Sequence, residues 1–492
     1  MFILSGCGNN NGDNKTLNVA VAADATNLDP VSFGDDYSEN VLKQIYDTLV
    51  VRTPSGEIQN SLATNIKRED PLTYTIDIRK GVKFSNGQDL TLDDVIYSLK
   101  RAAESSRYNY IYGNIDFDKT VKKDEDTVVL KLKEADGAFI ETLTHPAVSI
   151  VSKKFVEEHN GDISQVTLGT GPFVLNSWKK LDEIKLKKNN NYWGEESTLE
   201  NVNLRVIPEA YQRLIELESQ AVDIAYKVSP NDVKSLENQK EMKLYKKVDN
   251  STHFIGLNMQ KAPFNNLYAR EAMKYAIDME AIVKSVYKGQ AKIATTPINP
   301  NFKYSMASEI KPPAYNPEYA KQLLKSANIP EGTKIKLYVN DDQQRSDIAT
   351  MVQSQLKKAC IDVEVVKLEW GAYMKALGQS EHNMFIMSWS PSIIDPNYEL
   401  YQPFYSANKG KGPNFMFYGN NEVDRLILEG RRLPDSKERM DVYRKAQEII
   451  NSDSPWIYVC YGENLMATNK YVENFDMSPM YAQYLYKIKL NK

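Results

Sequence analysis

Residues 60–101, NSLATNIKREDPLTYTIDIRKGVKFSNGQDLTLDDVIYSLKR, constrain this chain more than any other stretch. In TYTIDI, Tyr74, Ile76 and Ile78 fall on one face and Thr73, Thr75 and Asp77 on the other. That period of two predicts a strand with one buried face. Lys80-Gly81 turns the chain, Val82 and Phe84 extend the apolar pattern, and Asn86-Gly87 marks a second turn. Thr91 is placed to cap a helix, with Asp94 three residues on in its first turn. Val95, Ile96 and Leu99 give that helix its apolar stripe. Strand, turn and capped helix all agree here, so this segment fixes the frame for the rest.

The same residues, LATNIKREDPLTYTIDIRKGVKFSNGQDLTLDDV, closely resemble the signature of the peptide- and nickel-binding receptors of ABC importers (family 5). A second stretch, Leu168-Gly169-Thr170-Gly171-Pro172-Phe173 followed by NNNYWG at 189–194, resembles that family's second signature in the same order. The resemblance implies an α/β fold of the two-lobed periplasmic-binding-protein kind (type II), with an extra accessory domain and a ligand cleft between lobes. It implies a receptor that binds and releases, not an enzyme, and no cofactor.

Read in order, the chain divides accordingly. Residues 1–16 hold Leu4-Ser5-Gly6-Cys7, which looks like a lipobox with Cys7 as the lipidated residue, and a polar tether. The apolar run before Cys7 is shorter than a full signal peptide, so the precursor is expected to start further upstream. Residues 17–50 begin lobe I, with a strand in LNVAVAA, a turn at Asn27–Pro30 and a helix from Tyr37 to Leu49 carrying Val41, Ile45 and Leu49. Residues 51–167 form the accessory domain, whose short connections require an antiparallel sheet. Residues 168–264 return to lobe I. Their alternating strands and helices suggest a largely parallel sheet, with Ser229-Pro230 starting one helix. Residues 265–460 form lobe II, with helices at 317–327 and 345–359 and strands at 334–339, 361–368 and 383–389. Residues 461–492 go back to lobe I. More than one crossing between lobes implies a hinge.

Composition narrows the chemistry. With 61 basic and 65 acidic side chains and no long basic run, nothing points to nucleic acid. The 30 tyrosines against 15 phenylalanines suit a wet binding cavity, or simply sheet surfaces. Histidines 145, 159, 253 and 382 show no metal-ligand spacing, and no nucleotide loop or nucleophile elbow occurs. His253 lies in an apolar strand pattern and reads as a satisfied core residue. Cys360 and Cys460 lie far apart among apolar residues and read as core thiols, with a disulfide between them left open.

The candidate ligand residues come from the resemblance. Arg345, near a helix start, is similar to the arginine that takes the ligand's carboxylate in peptide-binding relatives. A guanidinium fork suits that task; pairing with Asp341, Asp342 or Asp347 is the alternative. Trp389 resembles the tryptophan that lines the family's cleft, or else it is a core residue. Dipeptide and oligopeptide receptors place an ammonium-anchoring aspartate three residues later, where this chain has Ser392; Asp395 follows. Either another acid, among Asp24, Asp29, Asp35 and Asp395, reaches the cavity, or the ligand lacks a simple free amino end. Asp29 and Tyr110, from the opening loop and the aromatic stretch 108–112, complete the candidate set. Glutathione-binding relatives carry a run much like Trp389-Ser390-Pro391-Ser392. The expectation is a lipid-anchored, monomeric, extracytoplasmic receptor that closes on a short peptide and delivers it to a membrane ABC permease. A nickel-chelate or glutathione receptor, or a surface adhesion protein that retains the fold, are the alternatives.

Overall fold

The computed structural model describes residues 14–492. The lipidation site assigned to Cys7 lies outside them. The 60–101 stretch folds as its pattern predicts. Tyr74, Ile76 and Ile78 of the Thr73–Ile78 strand are buried. Thr91 caps the Leu92–Glu104 helix: its hydroxyl accepts from the Asp94 N–H while the Asp94 carboxylate accepts from the Thr91 N–H. The strand sits in a four-stranded antiparallel sheet with Ala63–Asp70, Thr127–Lys131 and Val121–Lys122.

A single eleven-stranded sheet joins the two lobes. Its order runs Ile361–Leu368, Thr333–Asn340, Met384–Trp389, Met242–Leu257, Trp456–Asn469, Ile224–Tyr226, Thr16–Val21, Asn201–Val206, Glu183–Lys188, Phe173–Lys179. Lys292–Ile293 pairs off this path with Trp456–Asn469. The sheet is mixed, not largely parallel. Thr16–Val21 runs parallel to both neighbours, as does Thr333–Asn340, but the central strands are antiparallel. The cause is the long Met242–Leu257 strand, which sequence pattern divides into two. It continues through Asn250-Ser251 by slipping register between Val248 and Thr252, and its partner Trp456–Asn469 returns beside it. These two strands are the crossing, and the slip lies between the lobes. Asn301 holds it, with Nδ2 donating to the Val248 and Asp249 carbonyls at 2.8 and 2.9 Å.

Two helix boundaries differ from the pattern. The first helix is Asp36–Ile45, not Tyr37–Leu49. Gly169 and Gly171 pass so close to Ile45 that a Cβ on either would lie within 2.7 Å of its carbonyl oxygen. The Gly171 N–H takes that carbonyl at 2.9 Å, and the Ile150 N–H takes the Asp47 carbonyl, so the helical ladder stops. Ser229-Pro230 makes a turn, and the helix begins only at Val233–Glu237. A helix at Trp370–Gly378 was not anticipated. Further on, Pro317–Ser326, Thr333–Asn340, Gln343–Lys358 and Ile361–Leu368 follow the pattern.

One hydrophobic core runs from Leu17 through the 51–167 block to Leu490 and takes in Ile393 and Tyr398 from the second lobe. Cys360 and Cys460 are free thiols, and burial pushes the Cys460 thiol up to about 12. His253 is satisfied on both ring nitrogens by Ser251 and Tyr287. Burial holds His382 at about 4, against 6.5 in an open chain. Below pH 6.5 the unfolded chain therefore takes a proton there that the folded chain refuses. Its contribution to stability is present above pH 6.5 and is lost as pH falls toward 4, by roughly 2 kcal/mol at pH 5. Urea melts at pH 7 and pH 5 check this, with His382→Gln expected to lose about that much less between them.

Candidate functional site

A cavity of about 290 Å³ opens where the N-terminal turn of the Asp36–Ile45 helix, the 107–110 segment and the loop after Met384–Trp389 meet. The helix presents Asp35, Asp36 and Glu39 to it. Asp35 is consumed by its capping role: it accepts from the Ser38 N–H and from the Thr26 and Ser38 hydroxyls. Glu39 pairs with Lys43 one turn on, at 3.0 Å. Asp36 accepts no hydrogen bond from the described residues. The pocket walls, then the charges of Glu39, Asp35 and Asp249, raise its carboxyl pKa, and Lys227 works against them.

Facing these acids are Arg107, Tyr110, His145 and Ser392. Arg107 lies across Gly34, donating to its carbonyl at 3.2 Å; a Cβ on Gly34 would occupy the guanidinium's place. No carboxylate among the described residues pairs with Arg107. The His145 ring is buried between Phe33 and Tyr108. Its Nδ1 accepts from the Ala147 N–H at 3.1 Å, which leaves Nε2 as the N–H donor. Burial lowers its pKa to about 4, so it stays neutral at pH 7. Tyr110 is half exposed, and burial of its hydroxyl raises its pKa while Ser392 eases the rise. The pocket thus sets an open carboxylate against a guanidinium and a neutral imidazole donor.

The residues singled out from the sequence fall into three groups. Tyr110 and Ser392 both line this pocket. Arg345 and Trp389 do not line it. Arg345 is the third residue of Gln343–Lys358, and Asp342 caps that helix through the Arg345 N–H. Its guanidinium meets neutral partners, Asn340 Oδ1 and Ser388 Oγ, both at 3.0 Å, and stands over the Trp370 ring at 5.9 Å. None of Asp341, Asp342 and Asp347 pairs with its side chain. The Trp389 indole donates to the Glu399 carbonyl at 3.2 Å and is half-buried against the lobe's core.

Asp29 and Asp395 are each paired with an arginine of the chain. Asp29 is clamped by both arms of Arg101 at 2.6 Å each. Asp395 caps the Pro396–Phe404 helix and is held bidentately by Arg439 at 2.8 and 2.9 Å. Both are buried, and each carboxylate already has an arginine as its counter-charge. Asp24 is taken by the Trp178 indole and the Leu181 N–H. Sequence reasoning missed Asp36, Glu39, Arg107 and His145. The only local signal was a pair of acids one turn apart at a helix start; the other two come from distant parts of the chain.

Known proteins share this architecture. The family model described as bacterial extracellular solute-binding proteins, family 5 Middle, matches residues 57–411. The glutathione-binding protein GsiB of Shigella flexneri serotype 5b (strain 8401) is 31% identical over 478 residues, covering 94% of this chain and 92% of that protein. Among solved structures, the periplasmic binding protein DppA of Helicobacter pylori, in complex with the peptide STSA, superposes with a TM-score of 0.83 at 29% identity. The alignment covers 97% of this chain and 98% of that one. NikA of Staphylococcus aureus, in complex with Ni(L-His)2, gives a TM-score of 0.78 at 25% identity, covering 97% of this chain and 100% of that one. The two-lobed α/β architecture with an interlobe cleft is common to them.

Proposed function

Because the chain belongs to the family 5 bacterial extracellular solute-binding proteins, a non-catalytic receptor family, we propose that the solute held between its lobes is a compact peptide of the glutathione kind. The chain is an extracytoplasmic receptor that delivers a small solute to an ABC permease. In the proposed reading residues 17–50, 168–264 and 461–492 make the first lobe, 51–167 an accessory domain and 265–460 the second lobe. Lipid anchoring through Cys7 and a monomeric receptor are parts of the same proposal.

One observation carries the choice of ligand. Ser392 stands where an ammonium-anchoring acid would be, and the pocket it borders offers a carboxylate, Asp36, together with a guanidinium, Arg107. The first residue of an ordinary α-linked peptide presents an ammonium alone. The γ-linked glutamate of glutathione presents an ammonium and a carboxylate on the same carbon, and a pocket with both signs suits that head. Asp36 would take the ammonium, with Arg107 and the His145 Nε2–H on the carboxylate. Charge-assisted bonds of this type are the stronger ones. The ligand's glycine end would run toward Trp389 and Arg345. The cavity's volume is near the lower end for small-molecule sites.

Calorimetric titration with glutathione and with its α-linked isomer Glu-Cys-Gly tests the reading. Glutathione should bind at least fivefold more tightly, and Asp36→Asn should remove most of that preference. Equal binding of the two isomers would refute the γ-linked reading and favour ordinary short peptides. Heat only from nickel with histidine would favour a chelate.

A further inference from the structure

We propose a second ligand site outside the cleft, in which Asp47 holds a compact organic ammonium ion against a wall of aromatic rings. A cavity of about 240 Å³ lies between the end of the Asp36–Ile45 helix, the Val50–Arg52 and Ile58–Asn60 hairpin, the turn at 192–193 and the C-terminal segment 474–487. It shares no lining residue with the cleft pocket, and nothing between residues 194 and 473 contributes to it.

Asp47 is 8% exposed. Its Oδ2 accepts from the Thr170 hydroxyl at 2.8 Å and the Trp193 indole at 2.9 Å. Its Oδ1 accepts from no described residue. Burial raises the carboxyl pKa against the pull of those two bonds, and no cation is among the groups that set it. A buried carboxylate in that state lacks a counter-charge.

The cations at the cavity are otherwise engaged. Lys43 pairs with Glu39 at 3.0 Å. Arg52 is held by Glu141 and by the Gly56 carbonyl. Lys487 is exposed and stands over the Tyr486 ring at 5.5 Å. The remaining wall is aromatic: Tyr192 and Tyr486 meet edge to face at 6.0 Å, and Trp193 and Tyr484 border the same space, with Arg79 over the Trp193 ring at 4.5 Å and Lys43 over the Tyr484 ring at 5.7 Å. Aromatic faces attract organic ammonium groups, and more strongly where water is scarce. A metal ion would want several oxygen ligands. No group of three or more His, Cys, Asp or Glu suited to one occurs among the described residues.

Choline chloride is the probe, with 3,3-dimethylbutan-1-ol as its uncharged equivalent of the same shape. Titrated against the full chain, choline should bind saturably, at least fivefold more tightly than the alcohol. Asp47→Asn should weaken choline at least fivefold. Tyr484→Leu should also weaken it, and this variant leaves the Asp47 hydrogen bonds intact should the first fail to fold. Arg345→Ala, in the cleft, should leave choline binding unchanged. Absence of saturable choline binding to the unaltered protein, equal binding by the Tyr484 variant, or loss of binding with Arg345→Ala would each overturn the proposal.

Discussion

Replacing Arg439 by methionine is expected to destabilise the protein by about 3–5 kcal/mol, the cost of leaving one member of a buried ion pair alone. The Arg439 and Asp395 side chains are 2% and 3% exposed. The guanidinium gives both arms to Asp395 and its Nε to the Gly430 carbonyl, so all three of its nitrogens are engaged. Burial works to lower its pKa, but Asp395 and the neighbouring Tyr443 more than reverse that, and it ends above the ordinary value. Methionine fills the space and removes the charge, and Asp395 is then stranded near Asp136 in a dry interior. Adding Asp395→Asn should recover part of the loss, since the two changes remove one shared interaction. Urea titration of the single and double variants measures both. A loss under ~1 kcal/mol, the size of an exposed pair, would contradict the account.

This pair also shows which parts of the molecule can be read from sequence. Asp395 looked like a ligand residue because its place in the Trp389 segment resembles the family's second aspartate. The structure turns it inward, because Arg439, 44 positions away, approaches from another helix. A local motif gave its position but not the direction of its side chain. Strands and caps were readable where local signals agreed. The Thr73–Ile78 alternation and the Thr91–Asp94 capping box need only neighbours within a few residues. Asp278 caps Met279–Val286 for the same reason.

Boundaries set by distant chain were not readable. Leu49 keeps helical spacing with Val41 and Ile45, yet the helix ends because the Gly171 N–H takes the Ile45 carbonyl and the Leu49 carbonyl accepts from Ser61 and Ala63. The Met242–Leu257 strand reads as two because Asn250 and Ser251 interrupt its pattern; the Asn299 and Asn301 side chains and the partner strand carry it through. The cleft pocket follows the same rule. Ser392 was located by the resemblance and Tyr110 by the aromatic stretch around it, whereas Asp36, Arg107 and His145 lie on three separate segments and meet only in the fold.

Arg345→Ala should weaken glutathione binding ten- to a hundredfold. The guanidinium has neutral partners only, Asn340 and Ser388, so it keeps charge available for a carboxylate. Closing the cleft strips water from both groups, and a hydrogen bond to a charged group is worth roughly 1.5–3 kcal/mol, where ~1.4 kcal/mol is tenfold in affinity. Arg345→Lys should rescue only part, because an ammonium cannot form the two-pronged contact. The decisive measurement is a four-way calorimetric cycle: the unaltered protein and Arg345→Ala, each titrated with glutathione and with its glycine ethyl ester. If Arg345 meets the glycine carboxylate, the ester binds the unaltered protein much more weakly but loses little further affinity to the alanine variant, since both changes delete the same contact. Additive losses, or an ester that binds the unaltered protein as well as glutathione does, would contradict the account.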